Sequence, residues 1–236
     1  MPNTFFRFRN FVVHQERCAM KVGTDGVLLG AWANGGASIL DIGTGTGVVA
    51  LMMAQRFPKA SVHAIDIDDD ACRQAEDNVE ASPFASQVKV FKGAVQEFAT
   101  RPGREHAYDA IVANPPFFEN ALKAPGVARA VARHNDSLPF DQLCHAVTLL
   151  MSPQGEFSAI IPFDYKQRLV EEAMKVGLVV TRECGVKTTP QKQPKRFLLA
   201  FRKAPCNECE YEEGLLETSP GVRSEWYRRI TADFYL

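Results

Sequence analysis

Long apolar runs are missing from this sequence. The longest uninterrupted one, Val48–Ala54, is far shorter than the roughly 18–20 residues that cross a bilayer. The amino terminus carries Arg7 and Arg9 among phenylalanines, but it has no apolar core followed by a small-residue cleavage site, so it does not resemble a secretory signal. We therefore predict neither a membrane-spanning segment nor export, and we expect a cytoplasmic protein.

Cysteine is sparse as well. The six cysteines are scattered through a chain that is long enough to form a core without disulfides, which favours reduced thiols. Only Cys206 and Cys209 have the spacing of metal ligands, and neither a second pair nor a nearby histidine completes a zinc site. We therefore expect no metal.

An excess of either charge is also lacking, since 27 basic residues stand against 28 acidic ones, for a formal net charge of −1. A general attraction to nucleic acid is therefore excluded, and any basic surface must be local. Residues 182–203 form such a segment, with seven basic side chains against one acidic one. Pro190 and Pro194 within it indicate an exposed loop, where phosphates could be bound.

From residue 38 onward, short apolar runs alternate with helical patterns, which predicts a doubly wound α/β fold. Predicted strands lie at Ser38–Asp41, Ser61–Asp66, Val88–Lys92, Tyr108–Ala113, Glu156–Ile161, Leu178–Arg182 and Arg196–Arg202. Predicted helices lie at Val48–Phe57, Asp70–Glu80 and Lys166–Val176, and a further one starts at Asp136–Pro139 and leads to Leu143–Met151. Thr24 and Asp25 could cap a further helix that runs through Trp32.

We expect a single domain over residues 1–236. Its Rossmann-like core spans residues 37–204, with extensions at 1–36 and 205–236. The aromatic segment Trp226–Tyr235 near the end of the chain should pack on this core rather than remain in solvent.

The segment Asp41–Gly47 joins the first predicted strand to its helix. Its glycines at 43, 45 and 47 allow a tight turn and let a ligand approach the backbone, and the start of the helix offers free N–H groups. Asp66, at the end of the second strand, is placed to bind both hydroxyls of a ribose. The alternating glycines differ from the dinucleotide fingerprint, and Asp41 would repel a pyrophosphate but suits an ammonium group. The motif therefore predicts S-adenosylmethionine, which carries an amino-acid tail, as the cofactor.

The segment Asn114–Phe117 follows directly on the fourth strand, at the edge of the sheet where open α/β folds bind ligands. Two successive prolines make this turn stiff. The Asn114 side-chain oxygen and the Pro115 carbonyl could then accept both protons of a planar amino group and polarise its nitrogen toward attack. Phe117 could stack on the face of a base that has been splayed out of its strand.

Together, Asp41–Gly47, Asp66 and Asn114–Phe117 resemble the class I S-adenosylmethionine-dependent methyltransferases that act on planar nitrogens. The leader Met20–Trp32, Arg133-His134, Lys195-Arg196 and the ending Asp233–Leu236 are similar to those of the bacterial tRNA1(Val) adenine-N6 methyltransferases. This second resemblance covers nearly the whole chain.

The resemblance implies a mostly parallel sheet of seven strands with the last one antiparallel. It also implies methyl transfer from S-adenosylmethionine, leaving S-adenosylhomocysteine, to N6 of the adenine beside the anticodon of tRNA1(Val), with no obligatory protein partner. The cofactor residues that it implies are Lys21, Gly23, Thr24, Asp41, Gly43, Thr44, Gly45, Gly47, Asp66, Ile67, Ala94, Val95 and Asn114. Those that it implies for the target base are Asn114, Pro115, Pro116 and Phe117. Candidate phosphate contacts to the anticodon stem-loop are Arg133, Lys192, Lys195 and Arg196.

Other functions remain open at this point. The segment Asn114–Phe117 indicates that a planar nitrogen is methylated, but not which molecule carries it. A guanine of ribosomal RNA or a protein glutamine is therefore an alternative acceptor. A non-catalytic RNA-binding protein could keep the same fold as a scaffold. A nicotinamide oxidoreductase is disfavoured by the glycine spacing.

Overall fold

A computed structural model gives the architecture of the chain and describes residues 3–18, 20–115, 138–205 and 208–235. The helices are α1 (Thr24–Trp32), α2 (Val48–Arg56), α3 (Asp69–Glu80), α4 (Val95–Ala99), α5 (Phe140–Leu150), α6 (Phe163–Lys175) and α7 (Glu225–Thr231). The strands are β1 (Phe5–Arg7), β2 (Val12–His14), β3 (Ser38–Ile42), β4 (Ser61–Asp66), β5 (Val88–Lys92), β6 (Tyr108–Ala113), β7 (Met151–Pro162), β8 (Leu178–Lys187), β9 (Arg196–Lys203), β10 (Glu210–Leu215), β11 (Glu217–Ser219) and β12 (Val222–Arg223). None of the helices in these ranges has the length and apolarity needed to cross a bilayer.

The central sheet has the strand order β10-β8-β9-β7-β6-β3-β4-β5. Strand β9 runs antiparallel to both of its neighbours, β7 and β8. The other pairings of described strands in this sheet are parallel. The predicted α/β class with a mostly parallel sheet is therefore confirmed, and the strands predicted at Ser61–Asp66, Val88–Lys92 and Tyr108–Ala113 have the predicted bounds.

The strands are apolar on both sides because helices cover both faces of the sheet. Successive side chains of a strand point to opposite faces, and in β3 Ile39 belongs to one buried cluster and Leu40 to the other. The first cluster includes side chains of α1, α2 and the amino-terminal leader. The second includes side chains of α4, α5 and α6. Because β3–β7 run parallel, the loops that follow them emerge at one edge of the sheet.

The sheet has one strand more than the seven expected, counted over the described part of the chain. The additional strand, β10, lies parallel to β8 at the edge of the sheet and comes from the carboxyl-terminal extension. Glu213 of β10 forms an ion pair of 2.6 Å with Lys187 of β8, and Trp32 Nε1 donates a hydrogen bond to the Glu212 carboxylate. The extension therefore completes the sheet as well as packing on it.

The two ends of the chain pack together on α1 and α2. The rings of Phe8 and Phe11 are buried and stacked, with centroids 4.7 Å apart, and Phe8 also stacks on Tyr235 at 6.0 Å. The Arg9 N–H donates to the carbonyl of Phe234 at 2.7 Å. The predicted packing of the aromatic tail is thus observed.

The start of α1 differs from the prediction. The residue at the N-cap is Gly23, and no side chain caps the helix, so Thr24 and Asp25 are its first residues instead of its cap. The Asp25 carboxylate points to Arg196, and this ion pair replaces the predicted capping hydrogen bond.

Candidate active site

Strands β3 and β6 are parallel neighbours that end side by side, at the point where the order of the strands in the sheet switches from one side of β3 to the other. From β3 the chain moves outward through β4 and β5, and then crosses to β6 on the other side of β3. Ile42 of β3 is in register with Ala113 of β6, so Gly43 and Asn114 leave adjacent strand ends. Open α/β sheets bind ligands in the crevice at such a point. The topology therefore brings the two predicted motifs to one place.

The loop after β3 holds three glycines in left-handed backbone, with φ of 70° at Gly43, 55° at Gly45 and 81° at Gly47. Residues with side chains rarely adopt this conformation. In the described structure, a Cβ added at Gly43 or Gly45 would meet nothing within 4 Å, whereas one at Gly47 would lie 3.3 Å from the Cβ of Ala75. Gly43 and Gly45 therefore border open space, and Gly47 lets the start of α2 pack closely on α3.

Asp66 ties the end of β4 to this glycine loop. Its Oδ2 accepts a hydrogen bond from the Gly45 N–H at 2.8 Å, and its Oδ1 accepts one from the Asp68 N–H at 3.0 Å. Burial raises the pKa of Asp66, and these hydrogen bonds oppose that shift. Because a carboxylate group can accept about four hydrogen bonds, Asp66 retains acceptor capacity for a hydroxyl group.

Asp41 lies beneath the same loop and is only 1% exposed. Its Oδ2 accepts hydrogen bonds from the Thr44 hydroxyl at 2.6 Å and from the Ala50 N–H at 3.2 Å. Burial raises the pKa of Asp41 from 3.8 to about 7, although both hydrogen bonds act in the opposite direction. A cation bound beside it would favour the ionised form. The carboxyl group therefore holds the loop in place and is suited to an ammonium partner.

A cavity of about 290 Å³ lies against the glycine loop. The predicted cofactor residues in its walls are Lys21, Gly23, Thr24, Asp41, Gly43, Thr44, Gly45 and Asn114. Arg196, a predicted phosphate contact, lies in the same walls. The other lining residues, which were not among the predicted cofactor residues, are Met20, Asp25, Gly26, Thr46, Val48 and Val49. We call this the cofactor cavity.

The remaining cofactor predictions that fall on described residues are Gly47, Asp66, Ile67, Ala94 and Val95, and none of them is among the lining residues of this cavity. Asp66 ends β4, and its carbonyl accepts a hydrogen bond of 2.8 Å from the Gly93 N–H, which holds the start of α4 alongside. Ala94 is the N-cap of α4. The Val95 side chain is buried in the core, so only its backbone is placed to meet a ligand.

Asn114 is half-buried at the end of β6, and Pro115 after it is buried. The Asn114 amide lines the cofactor cavity and forms no hydrogen bond with any residue that the structure describes. No residue that the structure describes therefore occupies the hydrogen-bond acceptor of its side chain. Three predicted site residues, Pro116, Phe117 and Arg133, lie outside the described residues.

An ion pair crosses the wall of the cofactor cavity. Arg196 Nη1, at the start of β9, lies 2.8 Å from Asp25 Oδ1 in α1. Burial raises the pKa of Asp25, and the Arg196 guanidinium opposes this shift. Asp25 Oδ1 is enclosed, and its geometry with Arg196 does not meet that of a hydrogen bond. The contact is therefore purely electrostatic. No local pattern could have revealed this pair, because its members are far apart in the chain.

The basic segment 182–203 is largely neutralised. Arg182 and Arg202 both bind the buried carboxylate of Glu156, each at 3.1 Å. Lys187 is paired with Glu213, as described above. Lys192 and Lys195 are exposed, and neither forms an ion pair with a described residue. Lys192 and Lys195 are thus the predicted phosphate contacts whose charge is not compensated by a described residue, whereas Arg196 is already paired with Asp25.

Metal-binding geometry is not found in the described ranges, which contain no group of three histidine, cysteine or acidic side chains able to hold an ion. Cys209 is exposed, and Cys206 lies outside the described residues.

The fold is that of methyltransferases. Residues 22–138 match the family model of the methyltransferase small domain. A crystal structure from Agrobacterium tumefaciens, described as a predicted O-methyltransferase, superimposes with a TM-score of 0.69 over 89% of this chain and 96% of that one. Its sequence is 17% identical, so this likeness concerns the fold alone.

The particular family follows from sequence relatives. The chain is 46% identical over 238 residues to the tRNA1(Val) (adenine(37)-N6)-methyltransferase of Phocaeicola vulgatus, which covers 100% of this chain and 99% of the relative. It is 45% identical over 240 residues to the enzyme of the same name from Bacteroides thetaiotaomicron, with the same coverage of both chains. The chain therefore belongs to the tRNA1(Val) (adenine(37)-N6)-methyltransferase family.

Proposed function

We propose that this protein transfers a methyl group from S-adenosylmethionine to N6 of the adenine beside the anticodon of tRNA1(Val). The observation that carries the proposal is the cofactor cavity, in which Asn114 and the glycine loop after β3 share one set of walls. Membership of the family supports the choice of nucleotide, because the relatives are named for adenine 37 of that tRNA.

The residues of the cavity fit S-adenosylmethionine. When bound, the cofactor supplies a methyl group activated by a positively charged sulfur. Gly43 and Gly45 leave room beside the backbone that a Cβ would fill. The buried carboxyl group of Asp41 lacks a cationic partner among the described residues and would bind the ammonium of the amino-acid tail. The free acceptor capacity of Asp66 suits the two hydroxyls of a ribose.

Asn114 prepares the acceptor. An exocyclic amino group is a poor nucleophile because its lone pair is drawn into the ring, and fixed acceptors that hold its protons increase the electron density on nitrogen. The Asn114 oxygen and the Pro115 carbonyl supply these acceptors at a rigid strand end, so little reorganisation is needed. The cavity thereby fixes the distance between the methyl group of the cofactor and the nitrogen that receives it, which lowers the entropic part of the barrier to methyl transfer.

The RNA substrate meets the protein at the edge of the sheet where β9 begins. Lys192 and Lys195 lie in the exposed connection that leads into β9, and Arg196 is the first residue of this strand. These cations suit the phosphates of an anticodon stem-loop, from which the target adenine must be splayed out to enter the cavity. We assign the reaction to the cytoplasm, where tRNA is modified.

The experiment is a competition among acceptors. Purified protein is incubated with methyl-labelled cofactor and with equal masses of total tRNA, ribosomal RNA or cell protein. We expect label in the tRNA fraction, recovered as N6-methyladenosine after digestion to nucleosides. Label in ribosomal RNA or in protein glutamine would replace the proposed substrate, and an absence of cofactor binding would favour a scaffold without catalysis.

A genetic comparison complements this assay. Nucleosides of tRNA1(Val) from cells that lack the gene should be missing one N6-methyladenosine, and a plasmid copy should restore it. A plasmid copy that carries Asn114→Ala should not. An unchanged nucleoside profile in the deletion strain would contradict the proposal.

A further inference from the structure

A second cavity, of about 720 Å³, lies between the amino-terminal leader, the start of α1 and α7. We call it the terminal groove and define it by the side chains Phe6, Arg9, Arg223, Tyr227, Arg228 and Tyr235. It also shares Gly23 and Thr24 with the cofactor cavity. The two cavities therefore adjoin at the start of α1.

The terminal groove is strongly basic although the whole chain is nearly neutral. Three arginines line it, and its described walls contain no acidic residue. Arg9 and Arg228 are exposed, and neither forms an ion pair or side-chain hydrogen bond with any residue in the described ranges. Arg223 has only a loose partner, Glu217 at 3.6 Å. Unpaired arginines gathered in one concave surface are suited to phosphates.

Aromatic rings form part of the same walls. The rings of Phe6 and Tyr235 meet edge to face with centroids 6.1 Å apart, and the hydroxyls of Tyr227 and Tyr235 lie 3.0 Å apart. The guanidinium of Arg223 lies over the ring of Tyr227 at 4.7 Å. The ring of Tyr227 is buried, so Phe6 and Tyr235, which are half-buried, are the rings that can contact bases. Arginines that follow a backbone, together with such rings, are the combination found in grooves for single-stranded nucleic acid.

We propose that the terminal groove binds the sugar–phosphate backbone of the RNA strand next to the target adenine. This inference rests on the proposed function, because it takes the RNA as the molecule whose base enters the adjoining cofactor cavity. A strand with one base in that cavity would continue past Gly23 and Thr24 into the groove, where Arg9 and Arg228 contact its phosphates. The ends of the chain are then part of the substrate-binding surface.

The test compares Arg9→Ala, Arg228→Ala and the double variant with Arg229→Ala. Arg229 is a matched control because it is exposed on the same helix and does not line the groove. Affinity for tRNA is measured over a series of salt concentrations, and affinity for S-adenosylmethionine is measured in parallel. Thermal unfolding verifies that each variant is folded.

Each lost phosphate contact should weaken tRNA binding by about five- to tenfold near 0.1 M salt, and should lower the slope of log affinity against log salt by about 1. The double variant should lose both contacts and keep its affinity for the cofactor, and Arg229→Ala should bind as the unmodified protein does. A double variant with an unchanged slope would overturn the proposal, as would an equal loss in Arg229→Ala.

The two proposals fail in distinguishable ways. If the unmodified protein neither binds nor methylates tRNA, the proposed function is wrong, and the terminal groove loses its ligand with it. If the unmodified protein methylates tRNA while the double variant binds tRNA equally well, only the assignment of the terminal groove is wrong.

Discussion

Asp25 and Arg196 form an ion pair of 2.8 Å that joins the first helix to strand β9 beside the cofactor cavity. Both side chains are about 70% buried, so the charges attract each other through a medium less polar than water. The pair connects the amino-terminal extension to the edge of the sheet where Asn114 lies. It therefore stabilises the wall of the cavity as well as the fold.

Replacing Arg196 with methionine should lower the free energy of unfolding by about 1–2 kcal/mol at pH 8, because the enclosed Asp25 carboxylate then lacks its cation. The loss should shrink at lower pH, where Asp25, whose pKa is already raised by burial, takes up a proton. Adding Asp25→Asn to the variant should recover part of the loss in a double-mutant cycle. Denaturant titrations measure each value, and additive losses would contradict the pairing.

Asp41→Asn should separate stability from cofactor binding. The folded protein holds the Asp41 proton up to a pKa of about 7 and the unfolded chain up to about 3.8, so the contribution of this carboxyl group to the free energy of unfolding falls as pH rises between these values. The asparagine variant keeps an oxygen for Thr44 and Ala50, so its stability should depend less on pH in that window. Denaturant titrations from pH 4 to pH 8 measure this difference.

The same substitution bears on the cofactor. Affinity of the unmodified protein for S-adenosylmethionine should rise with pH through about 7, as Asp41 becomes ionised, and should level off above it. The asparagine variant should bind at least tenfold more weakly at pH 8, which corresponds to about 1.4 kcal/mol. Calorimetric titration decides this, and equal affinities would remove Asp41 from the ammonium site.

We expect Gly47 to contribute mainly to the stability of the fold and Gly45 mainly to cofactor binding. Gly47→Ala forces a left-handed alanine whose Cβ lies 3.3 Å from that of Ala75, and it should lower the free energy of unfolding by about 1–2 kcal/mol. Gly45→Ala meets no described atom within 4 Å, and its stability cost should be the conformational one of about 1 kcal/mol. Because Gly45 lines the cofactor cavity, its variant should lose more affinity for the cofactor than stability. If both variants lost stability and cofactor affinity in the same proportion, this assignment of the two glycines would be wrong.

We expect the basic segment 182–203 to contain two kinds of residue, some that bind tRNA and others that stabilise the fold. Lys192→Ala combined with Lys195→Ala should weaken tRNA binding and reduce its salt slope by about 2, without a change in the thermal midpoint. Arg202→Ala should leave tRNA binding unchanged and lower the free energy of unfolding by about 1 kcal/mol, because the buried Glu156 loses one of its two arginines. Binding that depends on Arg202 but not on the lysines would reverse the assignment.

Local patterns in the sequence predict the core of the fold and its cofactor loop. Buried parallel strands appear as apolar runs, and the polar residues at or just beyond their carboxyl ends, such as Asp41, Asp66 and Asn114, are recognised as candidate ligand-binding residues. These features depend on neighbours in the chain, which is why they can be predicted.

Long-range partners account for what the sequence could not predict. Strand β10 is rich in glutamates, and two contacts support its place beside β8. Lys187 forms an ion pair with Glu213, and Trp32 donates a hydrogen bond to Glu212. The terminal groove joins Arg9 to Arg228 from opposite ends of the chain. A charged segment predicts an exposed surface, so only the folded structure shows that Glu156 neutralises its arginines.

The most direct measurement concerns Asn114 itself. Methyl transfer to tRNA is followed under single-turnover conditions for the unmodified protein, Asn114→Ala and Asn114→Asp, with cofactor affinity measured on the same samples. The alanine variant should bind S-adenosylmethionine nearly as well and transfer methyl groups about 10²–10³-fold more slowly, and the aspartate variant, which keeps an acceptor oxygen, should lose less. An alanine variant that forms N6-methyladenosine at the unmodified rate would contradict the account.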